Sequence, residues 1–300
     1  MKALQIKRSP VKFGLARLTS PVLPAKVSAL DLRSVDEPDH PGPGWHRFDV
    51  HLAGICGSDL SLVEGHASPY FEEYVSFPFI PGHEVVGSVD GVRYVLNPVL
   101  NPAARGLPNT PPDDYAHYAT GPLEPGIQTG FCCSTGGGWA PWLWAHESQL
   151  HPIPDEMPDE RAVLVEPLAG GVHAAAVAAQ AVAGVDRPIV AILGAGTMGL
   201  AALAAARRHL PEDTRIVVGA RYPHQIALAK AIGADEVVQA AKLDRAVRRM
   251  AGCHLIADHL SSGAHVTVDA VGSSESITDS LRITRPRGRV ALLGMPADVK

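Results

Sequence analysis

The stretch PIVAILGAGTMG, Pro188 to Gly199, decides the fold of the second half of the chain. A short β-branched apolar run, Ile189 to Leu193, leads directly into the pattern G-x-G-x-x-G, and an Ala-rich run that reads as a helix, Met198 to Leu210, follows it. In this arrangement Gly194 permits a tight turn, Gly196 lets a pyrophosphate approach the backbone, and Gly199 lets helix and strand pack closely. The amides of Thr197 and Met198 then face the phosphates. A strand-to-helix turn with no ligand can carry the same glycines, so the wider pattern has to decide. Working outward, Ile216 to Val218, Val237 and Val238, Val266 to Val271 and Arg289 to Leu293 read as strands, with a helical stretch at Gln225 to Ile232. Parallel strands cannot be joined by tight turns, so strand-helix-strand alternation predicts a doubly wound α/β sheet of the dinucleotide-binding (Rossmann) kind.

The strand Arg215 to Ala220 ends where an acidic residue would hold the ribose 2′-hydroxyl of a dinucleotide, and this chain has Ala220 followed by Arg221 there. Without a carboxylate nothing repels a 2′-phosphate, and a guanidinium offers it paired hydrogen bonds, so NADP is expected in preference to NAD. The competing reading of Arg221 is an ordinary solvated side chain at a helix start.

Composition bounds the rest. The chain has 300 residues, 46% hydrophobic and 19% charged, which is enough for two globular domains. A formal charge of −5 without a basic block argues against nucleic acid as a partner. The N-terminus, MKALQIKRSPVKFGLARL, lacks an apolar core and cleavage site of the signal-peptide type, so a cytoplasmic location is expected. Leu168 to Val185 is weakly polar but carries His173 and Gln180, so a packed helix is expected and no membrane span. Cys56, Cys132, Cys133 and Cys253 lack regular spacing, which argues against a disulfide framework.

The first half is rich in Gly and Pro, with short apolar runs at Asp49 to Ala53, Glu84 to Val89 and Val92 to Leu96, the pattern of a mainly β domain with long loops. The proline-broken HPIPDEMPDE, His151 to Glu160, marks the boundary region, and the expected domains are residues 1–165 and 166–300. Three short motifs stand out in this part: Gly54-Ile-Cys56-Gly-Ser58-Asp59, Pro81-Gly-His83-Glu84 and Val165-Glu166-Pro-Leu168. Each alone is ordinary, because a lone Cys is more often packing, a lone His more often surface or core, and a Glu before Pro more often a helix start.

Taken in order with the glycine pattern, these motifs resemble the medium-chain dehydrogenase/reductase family, in particular its sorbitol- and threonine-dehydrogenase-like branch, over nearly the whole chain. The resemblance implies a barrel-like, GroES-like catalytic domain in front of a Rossmann domain. It makes Cys56, His83 and Glu166 ligands of one catalytic zinc, with Glu84 a fourth or exchangeable ligand, and Ser58 the proton relay. A thiolate, an imidazole and carboxylates suit Zn²⁺. The implied reaction moves a hydride between a small alcohol or polyol and the nicotinamide. The other readings are a truncated non-catalytic NADP-binding remnant and a zinc-free quinone or enoyl reductase of the same superfamily. Ser58 also suits a turn or helix cap.

The chain departs from the family in three places. Ser61 stands where many relatives have a relay His, and His51 and His66 nearby receive no role. Between Asn97 and Phe131 there is no cysteine, whereas relatives often carry a four-cysteine structural zinc there, so no structural zinc is expected. That lobe holds Pro98, Pro102, Pro108, Pro111, Pro112, Pro122 and Pro125 as stiffeners, and Cys132 and Cys133 are read as packing. The sequence stops at Lys300, soon after the run Arg289 to Leu293, which reads as a fragment or a natural truncation and weighs against a homo-oligomer without excluding one. Tyr70, Trp139 and Trp142 lie near the motifs and are read as core or lid before specificity determinants.

Overall fold

The computed structural model describes the chain except Pro21, Leu23, Ser68, Pro108, residues 112–117, Asp258 and residues 296–300. The stiffening expected of Pro108 and Pro112, the end of the chain and the side chain of Tyr70 therefore fall outside the described residues. The chain divides into two compact units, Met1–Glu166 and Pro167–Lys300.

In the first unit β1 (Lys2–Ile6) pairs antiparallel with β2 (Leu30–Ser34), and α1 (Pro10–Thr19) and α2 (Pro24–Val27) lie between them. The main sheet is a five-stranded antiparallel sheet of β3 (Trp45–Ala53), β4 (Val85–Val89), β5 (Val92–Leu96), β6 (Trp142–His146) and β7 (Leu150–Pro152), in the order β6-β3-β4-β5-β7. Its interior is Phe48, Val85, Leu96, Leu143 and Ala145, all essentially inaccessible to solvent. Three helices matter for the site: α3 (Gly57–Val63) directly after β3, α4 (Asp159–Ala162) and α5 (Val165–Val182). The proline-broken segment read as a boundary thus also holds a strand and the start of a helix.

The second unit runs β8 (Ile189–Leu193), α6 (Thr197–His209), β9 (Arg215–Ala220), α7 (Pro223–Ile232), β10 (Glu236–Gln239), α8 (Leu243–Ala251), a small hairpin β11 (Leu255–Ile256) and β12 (His259–Leu260), then β13 (Ala264–Asp269), α9 (Ser274–Ile283) and β14 (Thr284–Leu292). All five long strands are parallel, in the order β10-β9-β8-β13-β14. Residues alternate between two cores because side chains alternate across a strand. Val190, Ile192 and Val218 pack on the face covered by Ala174, Ala178 and Leu203, whereas Ile189, Ala191 and Val217 pack on the face covered by Leu243, Ala246 and Val247. Burial on both faces is what a parallel sheet requires, and each fully buried aliphatic side chain contributes about 1.5–3 kcal/mol. The run Asp159–Val182 is long and apolar enough, by length and composition alone, to cross a membrane. Here Ala174, Ala178 and Val182 on it belong to the core of the parallel sheet.

The proline-rich lobe of the first unit is organised around a buried arginine. Arg105 is 1% exposed, and its Nη1 donates to Thr120 O at 2.9 Å while Nη2 donates to Glu124 O at 3.2 Å and Gly126 O at 2.6 Å. Burial holds this guanidinium below its usual pKa. Cys132 is fully buried and donates to Glu124 O at 3.4 Å, while Cys133 is half-buried.

Candidate active site

The local chain path explains how the metal-type residues meet. Strand β3 ends at Ala53, and Cys56 becomes the N-cap of α3, so Cys56, Ser58 and Asp59 crowd into one turn. The Cys56 amide donates to Asp59 Oδ2 at 2.9 Å, which fixes that turn. His83 and Glu84 come from the segment that enters β4, and Gly54 N donates to Glu84 O at 2.7 Å, which ties the two segments together. A Cβ on Gly54 would stand 2.0 Å from Glu84 Oε2, so the glycine leaves the space that the carboxylate fills. Gly82, with φ +96°, has the Trp139 indole against it, a Cβ there falling 2.6 Å from Trp139 Cδ1, and Trp139 Nε1 donates to Gly54 O at 3.4 Å. Trp139 therefore braces both the segment of Cys56 and the segment of His83 and Glu84. Trp142 is buried in β6 beneath the Arg47 guanidinium, 4.7 Å from the ring centroid, and serves packing.

The donor atoms of Cys56, His83 and Glu84 all lie within 4.8 Å of one another. Ligands on one tetrahedral zinc stand about 3.5 Å apart, given bond lengths of about 2.0–2.3 Å, so small side-chain shifts close this set on an ion. Glu166, at the start of α5, lies outside that 4.8 Å set, yet its charge acts on His83.

Asp59 is the residue whose part the sequence reading missed. It is 1% exposed, its Oδ1 lies 3.7 Å from His83 Nδ1, and neither atom has a hydrogen-bond partner. At this separation the carboxylate acts on the imidazole through its charge, as the outer partners of metal-binding histidines do. The only hint in the sequence was the position of Asp59 three residues after Cys56.

Electrostatics gives an independent test of fit. Burial would depress the His83 imidazole, but its hydrogen bond to Cys56 and the charges of Asp59, Cys56 and Glu166 outweigh this and raise its pKa to about 9. Burial raises the carboxyls of Asp59, Glu84 and Glu166, although the His83 charge opposes it in each case. The cluster therefore favours added positive charge, and a dication supplies it without a proton. Thiolate sulfur, imidazole nitrogen and carboxylate oxygen together match the zinc donor set. In the metal-free chain the folded His83 pKa lies above the ordinary 6.5, so the stability it contributes is complete below 6.5 and is lost as pH rises through about 9. Thermal melts of the metal-free protein should show that loss between pH 6.5 and 9, and zinc-loaded protein should not, because metal replaces the proton.

Gly54→Ala should destabilise the first unit by about 2 kcal/mol, because the added methyl overlaps the Glu84 carboxylate. It should also weaken zinc retention, measured by chelator competition.

In the second unit the three glycines take three different geometries. Gly194 has φ +89°, as the tight turn demands. A Cβ on Gly196 would meet nothing within 4 Å, so open space lies before this residue, the N-cap of the 13-residue helix α6. A Cβ on Gly199 would stand 2.0 Å from Gly194 O, so helix and strand could not close with any larger residue. Thr197 and Met198 begin α6, whose first amides and positive dipole end face outward from the turn. The turn lies between β8 and β13, where the strand order reverses, the place at which open α/β sheets bind ligands. Asp269, fully buried at the end of β13, shapes the neighbouring loop by accepting from Val271 N at 2.9 Å, Gly272 N at 3.1 Å and Ser276 Oγ at 2.8 Å. Arg221 is exposed just beyond β9, its amide capped by Gln225 Oε1 at 3.1 Å, and no carboxylate pairs with its guanidinium among the described residues.

Residues 42–155 match the alcohol dehydrogenase GroES-like domain and residues 197–300 match the zinc-binding dehydrogenase domain. Sorbitol dehydrogenase from Macaca fascicularis is 28% identical over 279 residues, spanning 90% of this chain and 73% of the relative. L-idonate 5-dehydrogenase from Vitis vinifera is 28% identical over 277 residues, spanning 85% of this chain and 68% of the relative. The structure of the alcohol dehydrogenase from Aeropyrum pernix superimposes with a TM-score of 0.74 at 21% identity, covering 100% of this chain and 80% of that one. The fold is thus a GroES-like domain followed by a Rossmann domain. The chain belongs to the medium-chain dehydrogenase/reductase family of zinc-type alcohol dehydrogenases, and as an enzyme it is an alcohol or polyol dehydrogenase.

Proposed function

We propose that this chain transfers a hydride between a small polyol and NADP(H), with residues 1–165 as the zinc-binding catalytic domain and residues 166–300 as the dinucleotide-binding domain. One observation carries the reading: the convergence of Cys56, His83 and Glu84 within 4.8 Å over the buried Asp59 carboxylate. Cys56, His83, Glu84 and Glu166 would hold one zinc. Zinc, when bound, supplies the Lewis acidity that makes an alcohol proton labile near neutral pH. Ser58, half-buried at the second position of α3, accepts that proton and passes it to solvent. It is not the cap of its helix, since Cys56 occupies that position, which removes the simplest structural reason for a serine there. Gly194, Gly196, Thr197, Met198 and Gly199 receive the pyrophosphate. Arg221 binds the 2′-phosphate, and Ala220 leaves no carboxylate to repel it. The preference for polyols draws on the two relatives, which are named for sorbitol and L-idonate.

A zinc-free reductase has no use for a sulfur, nitrogen and carboxylate donor set around one point, and the reading as a non-catalytic remnant leaves the same set without purpose. The test is turnover of a polyol panel with NADP⁺ by protein of measured zinc content. Oxidation that disappears on chelation and returns with zinc supports the proposal. Full activity in metal-free protein would replace it with the zinc-free reading.

A further inference from the structure

Glu166 follows a short helix, and that helix is fastened to the sheet at its first residue. The pairing of β3 with β4 shifts register between Val50 and Leu52, which leaves His51 as the extra residue of a β-bulge. Bulges re-aim the side chain they carry. His51 Nδ1 lies 3.1 Å from Asp159 Oδ2 and Nε2 lies 3.0 Å from Ser88 Oγ. Since a carboxylate only accepts, Nδ1 donates to Asp159 and, in the neutral ring, Nε2 accepts from Ser88. From β5, Arg93 Nε and Nη2 donate to Asp159 Oδ1 at 3.1 and 2.5 Å, Nη2 donates to Met157 O at 2.5 Å, and Nη1 donates to Asp155 O at 3.2 Å. Asp159 is the first residue of α4, so the clamp grips the helix at its start. At the other end of α4, Ala162 and Val163 pack against the fully buried Val86, two residues beyond Glu84 on β4. Glu166 follows three residues after Val163.

The helix that precedes Glu166 is therefore pinned at both ends to the strands that flank the other donors. With only four residues in α4, a shift at Asp159 passes down the chain to Glu166 with little slack to absorb it. Metal ligands tolerate displacements of only about 0.5 Å before affinity suffers.

We propose that the four-element clamp of His51, Ser88, Arg93 and Asp159 is a positioning device for the metal centre, setting where the Glu166 carboxylate stands relative to His83 and Glu84. This rests on the reading of Glu166 as a zinc ligand. Asp159, Arg93 and His51 are positioning residues, acting through Glu166 alone. The clamp spans strand, bulge and helix, so its loss moves one carboxylate while the Cys56 and His83 donors stay where their own segments hold them.

The test is a double-mutant cycle on zinc affinity, measured by competition with a chromophoric chelator, and on the ligand-field absorption of the Co²⁺-substituted protein. Outer partners of metal ligands typically affect affinity 10–100-fold, and Asp159→Asn is expected to weaken zinc about tenfold and to shift the Co²⁺ bands. Glu160→Gln, a charge change on the next, exposed residue of α4, should leave both unchanged. Glu166→Ala should weaken zinc at least as much as Asp159→Asn, and adding Asp159→Asn to Glu166→Ala should cost almost nothing more, because the clamp then has no ligand to place. A general loss of stability would instead weaken zinc additively in the double variant, and additivity overturns the proposal. If Asp159→Asn lacks a cooperative melt, Arg93→Lys takes its place in the same cycle, with a smaller effect of the same sign expected. If Glu166→Ala alone leaves zinc affinity unchanged, the reading of Glu166 fails and the clamp's role fails with it. If Glu166→Ala weakens zinc but Asp159→Asn does not, only the clamp is refuted.

Discussion

Cys56→Ala is expected to lower kcat/KM for polyol oxidation by about 1,000-fold or more and to reduce zinc content well below one per chain. The metal supplies several kcal/mol of charge stabilisation in such reactions, and each 1.36 kcal/mol is tenfold in rate. Cys56 provides the only sulfur in the donor set and caps α3, and its amide bond to Asp59 connects it with the carboxylate behind His83. Alanine keeps the backbone amide and the bond to Asp59, so the fold should survive while the metal is lost. Far-UV circular dichroism and a cooperative melt separate the two effects. Turnover within tenfold of the unmodified protein would remove Cys56 from the site.

Arg221→Ala is expected to weaken NADPH binding by about 10–150-fold, the range corresponding to 1.5–3 kcal/mol for hydrogen bonds to a charged group, and to leave NADH binding nearly unchanged. The guanidinium is exposed beyond the end of β9, lies 5.5 Å from the Tyr222 ring and has no paired carboxylate among the described residues, so it is available to a phosphate without first breaking an ion pair. Fluorescence titration with each reduced nucleotide reads the result. Equal losses for NADPH and NADH would mean that Arg221 supports the turn generally and does not discriminate between the cofactors.

What could be read in the sequence was what is local in the chain. The run Ile189 to Leu193 is a strand at just those bounds, and the three glycines after it occupy a left-handed turn, an open approach and a close packing contact. Such features depend on neighbours a few residues away, so residue type alone exposes them. Helix α7 begins two residues before the expected Gln225, because Pro223 suits the first helical position. Helices α8 and α9 are hard to recognise in the sequence because charged and polar residues interrupt their apolar ones: in α8 the buried Leu243, Ala246 and Val247 stand among Arg245, Arg248 and Arg249. Helix α1 escaped for a related reason, since Val11, Leu15 and Leu18 on it are exposed and mark no buried face.

The site divides along the same line. Cys56, His83, Glu84 and Glu166 were marked by motifs. The residues that orient or anchor them act across distances in sequence that no motif spans. His83 and Asp59 meet only because α3 and the entry to β4 fold together. Arg93 reaches Asp159 across 66 residues and His51 reaches it across 108, so nothing near either residue in the sequence points to the contact. The buried Arg105, bonded to four carbonyl groups, likewise looked like any other arginine.

If Cys56, His83 and glutamate carboxylates hold one zinc, X-ray absorption at the zinc edge of the loaded protein should show one sulfur neighbour at about 2.3 Å with nitrogen and oxygen neighbours at about 2.0–2.2 Å. In Cys56→Ala the sulfur contribution should vanish. A shell of several sulfurs, or one with no sulfur in the unmodified protein, would contradict this assignment.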